Sequence, residues 1–214
     1  MTRIVNNCVA LVCLCLFWGQ SLRAADASHS EQIKWGNESV FNEEHNTLGL
    51  FSGVLGGQIV LAGGTSDDYS RWGRNAVCLS ENAGFALYED VLSKPLAYGA
   101  SITLSDGILC IGGRDSSQCY EDVFFVTMQQ GKLNVSEDWP PLPFPLSNAA
   151  GALLDNKVYL FGGRKSVSPS RLSDSFFVLD LSNKSRGWKE LPGYPGCVRE
   201  DAILVVQNLS LIHI

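Results

Sequence analysis

The dipeptide Gly-Gly returns three times at nearly constant spacing, as Gly63-Gly64, Gly112-Gly113 and Gly162-Gly163, at intervals of 49 and 50 residues. Each pair closes a short apolar run: Ile59-Val60-Leu61-Ala62, Ile108-Leu109-Cys110-Ile111 and Val158-Tyr159-Leu160-Phe161. A tight polar turn precedes each run (Gly56-Gly57-Gln58, Ser105-Asp106-Gly107, Asp155-Asn156-Lys157), and before the turn lies another run of small and apolar residues. The chain is therefore built from copies of one unit.

Each unit reads as four strands. The first covers Leu48 to Leu55, Tyr98 to Leu104 or Asn148 to Leu154, and the second is the run that ends at Gly-Gly. The third contains Asn75 to Leu79, Asp122 to Thr127 or Ser175 to Asp180; the fourth carries an aromatic at Tyr88, in Leu133 to Trp139, or at Trp188. Runs this short, bounded by Gly, Asp and Asn, predict strands rather than helices. A repeat of about 50 residues with this layout is the kelch signature, which predicts an all-β chain folded as a kelch-type β-propeller. The Gly pairs read as places where the backbone takes positive φ or approaches a neighbour closely. No helix pattern follows them that would make them a phosphate cradle.

Trp139-Pro-Pro-Leu-Pro and Trp188-Lys-Glu-Leu-Pro lie 49 residues apart, with Tyr88 and Trp35 in the corresponding places of earlier units. These aromatics on outer strands predict packing between adjacent blades. Trp35 belongs to an outer strand that precedes any complete unit, as expected where an amino-terminal strand completes the last blade and so removes a free edge. The expected order is that strand, about three full blades, and the start of a fourth near Ile203 to Val206. That is roughly half of a six-bladed ring, so the chain reads as the amino-terminal part of a longer parent. The tail Leu209 to Ile214 fits no repeat position and resembles translated adapter sequence, which sets residues 209–214 aside as a non-native tail.

At the amino terminus, Arg3 precedes an apolar stretch from Cys8 to Trp18, and small residues follow at Ala24, Ala25 and Ala27. The pattern predicts an export signal over residues 1–27, too short to remain as a stable membrane span, and a secreted, periplasmic location. The partial propeller then spans 28–208. Outside the signal the cysteines are Cys78, Cys110, Cys119 and Cys197. Their even count permits disulfides but leaves the pairing open, and Cys110, inside a core strand, reads as a buried thiol. With no Cys-x-x-Cys and three scattered His, no metal site is expected. A net charge of −6 without a basic run argues against nucleic acid as a partner.

In a four-stranded blade, the lead-in to strand one and the loop between strands two and three lie at the same end. Those segments supply Phe51, Tyr98, Asn148, Arg71, Arg74, Arg114 and Arg164. Arg114 and Arg164 directly follow their Gly-Gly pairs. Guanidinium groups there could hold a carboxylate bidentately, which suits an acidic sugar or an acidic peptide. They could equally be surface ion pairs with Asp115 or Asp174. The ligand-binding candidates are Arg114, Arg164, Arg71, Tyr98 and Asn148.

The segments Pro95-Leu-Ala-Tyr98-Gly-Ala-Ser101, Ile108 to Gly113, Leu142-Pro-Phe-Pro-Leu-Ser-Asn148-Ala-Ala-Gly151 and Gly187-Trp-Lys-Glu-Leu-Pro192 resemble the cyclically permuted mutarotase family over roughly residues 33 to 206. The resemblance implies a six-bladed kelch propeller with permuted strands, an isomerase that interconverts the anomers of N-acetylneuraminate (sialic acid) without metal or redox cofactor. It implies a substrate-contacting Asn-Phe-Pro-like loop after the first Gly-Gly, where this chain has Thr65-Ser-Asp-Asp-Tyr69. It also implies a catalytic Glu and Arg in a segment expected beyond residue 214, so no catalytic residue carries over. The alternative is a non-catalytic kelch propeller that binds a glycan or a protein through the same face. A copper oxidase of related architecture would require Tyr, His and Cys ligands that this chain does not assemble.

Overall fold

The computed structural model describes residues 48–80, 84–193, 196–207 and 210–213. Three four-stranded antiparallel sheets follow one another along the chain. The first runs β1 (Phe51–Leu55), β2 (Gln58–Ala62), β3 (Ala76–Ser80) and β4 (Gly84–Tyr88) in spatial order. The second repeats that order with β5 (Ala100–Thr103), β6 (Ile108–Ile111), β7 (Val123–Gln129) and β8 (Lys132–Ser136). The third is β9 (Ala150–Leu154), β10 (Lys157–Phe161), β13 (Phe176–Asp180) and β14 (Lys189–Leu191), with a small hairpin, β11 (Arg164–Ser166) and β12 (Arg171–Leu172), inserted between its second and third strands. The fourth unit begins with β15 (Leu204–Gln207) and β16 (Ser210–His213). This is the expected kelch-propeller architecture. The export segment and Trp35 lie outside the described residues.

The continuous apolar runs have a simple cause. Successive side chains on a strand point to opposite faces, and a blade between two others must bury both. On β6, Ile108 and Cys110 pack into one core with Phe51, Val60, Phe124 and Val126. Leu109 and Ile111 pack into a second with Phe125, Val158, Leu160 and Phe177. Fully burying a side chain such as Leu109 contributes about 1.5–3 kcal/mol. Cys110 is a buried thiol whose pKa burial pushes far up, and Cys78, Cys119 and Cys197 are free thiols as well. The outer aromatics join blades as predicted: Tyr88 donates to the Gly131 carbonyl (3.1 Å) and the Trp188 indole to the Pro140 carbonyl (3.0 Å). Trp139 packs on Phe125 of its own blade at 5.2 Å, and Lys184 of the third blade lies 4.1 Å from its ring centroid.

The Gly-Gly pairs are hinges between blades. Gly113 N–H donates to the Leu146 carbonyl at 2.8 Å, in the lead-in to the next blade. That carbonyl lies where a Cβ on Gly112 would stand, and both glycines have positive φ, 63° and 112°. The same bond joins Gly64 to Leu96 and Gly163 to Arg199, both at 2.8 Å. A side chain at the first glycine would separate the blades.

Three features depart from the sequence expectation. Trp139 and Trp188 flank their outer strands rather than lying within them. The third unit carries the β11–β12 hairpin and a 3₁₀ segment over Leu181–Arg186, whose start Asp180 caps by accepting from Ser182 N–H at 2.9 Å. The tail that matched no repeat position pairs in part as a strand: Ser210–His213 runs antiparallel to β15, in the place of a second strand.

Candidate functional site

The lead-in of each blade and its loop after Gly-Gly are tied by one bridge: Leu48 with Thr65, Ala97 with Arg114, Ser147 with Arg164. Thr65 is thus the counterpart of the two arginines in the first blade, a correspondence the sequence reading did not make. Next to each lead-in stands a residue with left-handed backbone: Gly49 (φ 65°), Tyr98 (60°), Asn148 (56°) and Asp201 (55°). These four are linked in series. Tyr98 N–H donates to the Gly49 carbonyl (2.7 Å), Asn148 N–H to the Tyr98 carbonyl (2.7 Å), and Asp201 N–H to the Asn148 carbonyl (3.0 Å). A non-glycine residue in this conformation is uncommon and is kept only where surrounding bonds hold it. The series therefore sets three side chains, Tyr98, Asn148 and Asp201, side by side at one end of the blades.

Arg114 lies against two aromatic rings. Its guanidinium carbon is 4.6 Å from the Tyr98 ring centroid and 5.0 Å from that of Trp72, distances typical of cation–π contact. Its Nη1 donates to the Asp115 carbonyl oxygen at 3.3 Å, and its buried Nε has no hydrogen-bond partner. The alternative ion pair with Asp115 does not form. That carboxylate accepts from Ser117 N–H (2.7 Å), Gln118 N–H (2.9 Å), the Ser117 hydroxyl (2.8 Å) and the Tyr120 hydroxyl (2.6 Å). Burial works to raise Asp115, but these bonds outweigh it and hold the group at about 2. The ion pairs among the described residues are Arg74–Asp90, Lys94–Asp122 and Arg164–Glu200, and none of them involves Arg114.

Arg164 has one. Its Nε and Nη2 both donate to Glu200, at 2.7 and 2.6 Å, a bidentate pair about one-quarter exposed on each side. Hydrogen bonding to Glu200 raises the Arg164 pKa further. The partner is Glu200, not Asp174. Arg74 is held at the surface by Asp90 (2.6 Å). Arg71 is exposed, and its backbone closes the first loop, its carbonyl accepting from the Thr65 hydroxyl at 2.8 Å. Phe51 is buried in the core between the first two blades and leaves the site to its neighbours.

The aromatic wall beside Arg114 comes largely from residues the sequence reading passed over. Trp72 meets Tyr98 edge-on at 6.3 Å, and its indole donates to the Tyr69 carbonyl at 3.1 Å. Burial, and then a hydrogen bond with Tyr69, push the Tyr98 phenol far up; Arg114 pulls the other way and Asp201 adds to the rise. The loop bearing Tyr69 and Trp72 is tied inside by Asp68, which accepts from the Ser66 and Ser70 hydroxyls (2.6 and 2.7 Å) and is lowered to about 2 by them and by Ser70 N–H. Asn148 donates from Nδ2 to Asp201 at 2.8 Å. Glu200 and Asp201 were missed because their unit is spaced differently: the step from Asn148 to Asp201 is 53 residues. Among the described residues no His, Cys, Asp and Glu cluster could hold a metal ion, and no helix is long and apolar enough to cross a membrane.

Comparison with known proteins agrees with this architecture. Residues 145–192, the third blade, match the Kelch motif family. The chain is 32% identical over 71 residues to an N-acetylneuraminate epimerase of Yersinia pestis (strain Pestoides F), and 31% identical over 83 residues to one of Vibrio cholerae serotype O1. These segments take up 33% and 39% of this chain but only 16% and 20% of those relatives. A Vibrio cholerae protein named as Kelch domain-containing is 33% identical over 67 residues, or 31% of this chain and 17% of its own. Among solved structures, one described as "Structure of YjhT" superimposes with a TM-score of 0.63 at 12% identity, covering 78% of this chain and 61% of that one. It supports the propeller fold.

Proposed function

We propose that the intact protein is an exported sugar mutarotase that opens and recloses the ring of N-acetylneuraminate, with this end of the blades holding the sugar. The observation that carries the reading is Arg114: a guanidinium against Tyr98 and Trp72 with no carboxylate partner among the described residues. A ligand carboxylate would complete it with charge-assisted hydrogen bonds. The partial likeness to N-acetylneuraminate epimerases supplies the ligand class.

The chemistry asks little of the site beyond position and proton transfer. A base takes the proton of the anomeric hydroxyl, an acid delivers one to the ring oxygen, and reclosure reverses both. The residues described here serve binding. Tyr98, its phenol pushed far up by burial, contributes its ring face beside Arg114. Arg114 fixes the carboxylate, and Trp72 and Tyr69 flank it on one side.

The test is proton NMR of freshly released α-N-acetylneuraminate with and without micromolar full-length protein. The mutarotase reading expects faster appearance of the β anomer. Sugar binding with an unchanged rate would leave the alternative, a propeller that binds a glycan without turning it over. Export is tested separately, by fusing residues 1–27 to a reporter that is active only outside the cytoplasm.

A further inference from the structure

The site is polarised. On one side of Tyr98 stand Arg114 and Trp72. On the other the backbone series continues through Asn148 to Asp201, with Glu200 beside it. Glu200 is consumed by Arg164, since both its oxygens accept from that guanidinium. Asp201 is not. Its Oδ1 accepts from Asn148 Nδ2, and no ion pair among the described residues uses its carboxylate. The residue is exposed, and its backbone is locked at φ 55° by its bond to the Asn148 carbonyl. The carboxylate is therefore fixed in position yet open to solvent. It can accept hydrogen bonds and would repel an anion.

We propose that Asp201 is a specificity-determining residue that orients an acidic sugar across this end of the blades, carboxylate toward Arg114 and hydroxyl donors toward Asp201. The inference rests on the reading of the site given above and adds its direction. The ligand class that fits bears one carboxylate at one end and a hydroxylated tail at the other. The cationic side accepts the first and the acidic side the second. A sugar acid lacking the tail should lose the Asp201 bonds, and a ligand with anions at both ends should be rejected.

The experiment compares N-acetylneuraminate with its analogue whose glycerol side chain is shortened by periodate cleavage and borohydride reduction while the anomeric centre is masked as a glycoside, then freed by acid hydrolysis. Affinity for each is measured by calorimetry on the full-length protein and on Asp201→Asn. Asparagine tolerates the left-handed backbone and can keep the bond from Asn148, but it offers an amide where the second carboxylate oxygen stood. The expected result is roughly tenfold tighter binding of the intact sugar by the unmutated protein, as for loss of a hydrogen bond to a charged group. In Asp201→Asn the two sugars should bind alike, with the melting temperature unchanged. Equal affinity of the unmutated protein for both sugars overturns the role of Asp201 while leaving the site standing, as does a preference that survives in Asp201→Asn. Binding of neither sugar overturns the site itself.

Discussion

Arg114 and Arg164 occupy one backbone position in two consecutive blades and end in opposite circumstances. Each follows a Gly-Gly pair, each pairs with the lead-in of its own blade, and each loop is joined to the following blade by a bond from the second glycine. Arg164 is clasped by Glu200; Arg114 lies against aromatic rings. The difference comes from the following blade. The lead-in residue beyond Arg164 is Glu200, and the corresponding residue beyond Arg114 is Ser147, buried and 3.4 Å from the Cys119 sulfur. Repetition places the backbone, while a single unrepeated residue decides whether the guanidinium meets a carboxylate of the next blade or lies against aromatic rings.

If that division is right, backbone substitutions should act alike in the two blades and side-chain substitutions should not. The largest effect is expected at the hinges. Gly112→Ala and Gly162→Ala each force a Cβ toward a carbonyl of the next blade at positive φ, and each should cost about 2–3 kcal/mol in denaturant unfolding. Unequal costs, with one of them near zero, would break the equivalence. Next comes Arg164→Met, which should lower stability by about 1 kcal/mol, in keeping with a partly exposed ion pair. Glu200→Gln should cost less, because the amide still accepts one hydrogen bond. A stability unchanged in Arg164→Met would mean that the pair does not hold the blades.

The smallest effect concerns why Asp115 does not reach Arg114. Its folded pKa of about 2 lies below the unfolded carboxylate value of about 3.9. The bonds to its own loop therefore stabilise the fold above pH 4, and that contribution is lost as the pH falls from about 4 toward 2. Asp115→Asn should flatten the melting temperature profile in that window relative to the unmutated protein, with the slope due to Asp68 common to both. Parallel profiles would show that the loop does not own this carboxylate.

Much of the fold was legible because its signals are local. The polar turn, the apolar run and Gly-Gly mark the first two strands of every blade, and observed pairings such as Phe51 with Ala62, Ala100 with Ile111 and Ala150 with Phe161 follow from them. The outer strands were harder. Their aromatics serve the seam between blades, so Trp139 and Trp188 sit just outside regular pairing. The β11–β12 hairpin left no mark, since neither strand carries an alternating apolar pattern. At the site, Tyr98, Asn148 and Arg114 were visible as residues next to repeat landmarks. Trp72 was not, because it belongs to a loop of unique sequence. Asp201 and Glu200 were hidden by the longer spacing of the fourth unit, although aligning Asn148 with Asp201 would have exposed them. Which arginine was paired could not be read at all, because its partner lies in another blade.

The most direct test of the account is the affinity of the full-length protein for N-acetylneuraminate, compared with Arg114→Met and Arg164→Met, with melting temperatures recorded alongside. A desolvated charge-assisted bond contributes about 1.5–3 kcal/mol. Arg114→Met should therefore bind roughly ten- to a hundred-fold more weakly with little change in melting temperature, while Arg164→Met should stay within about twofold and melt lower. Affinity that falls in Arg164→Met but holds in Arg114→Met would contradict the account.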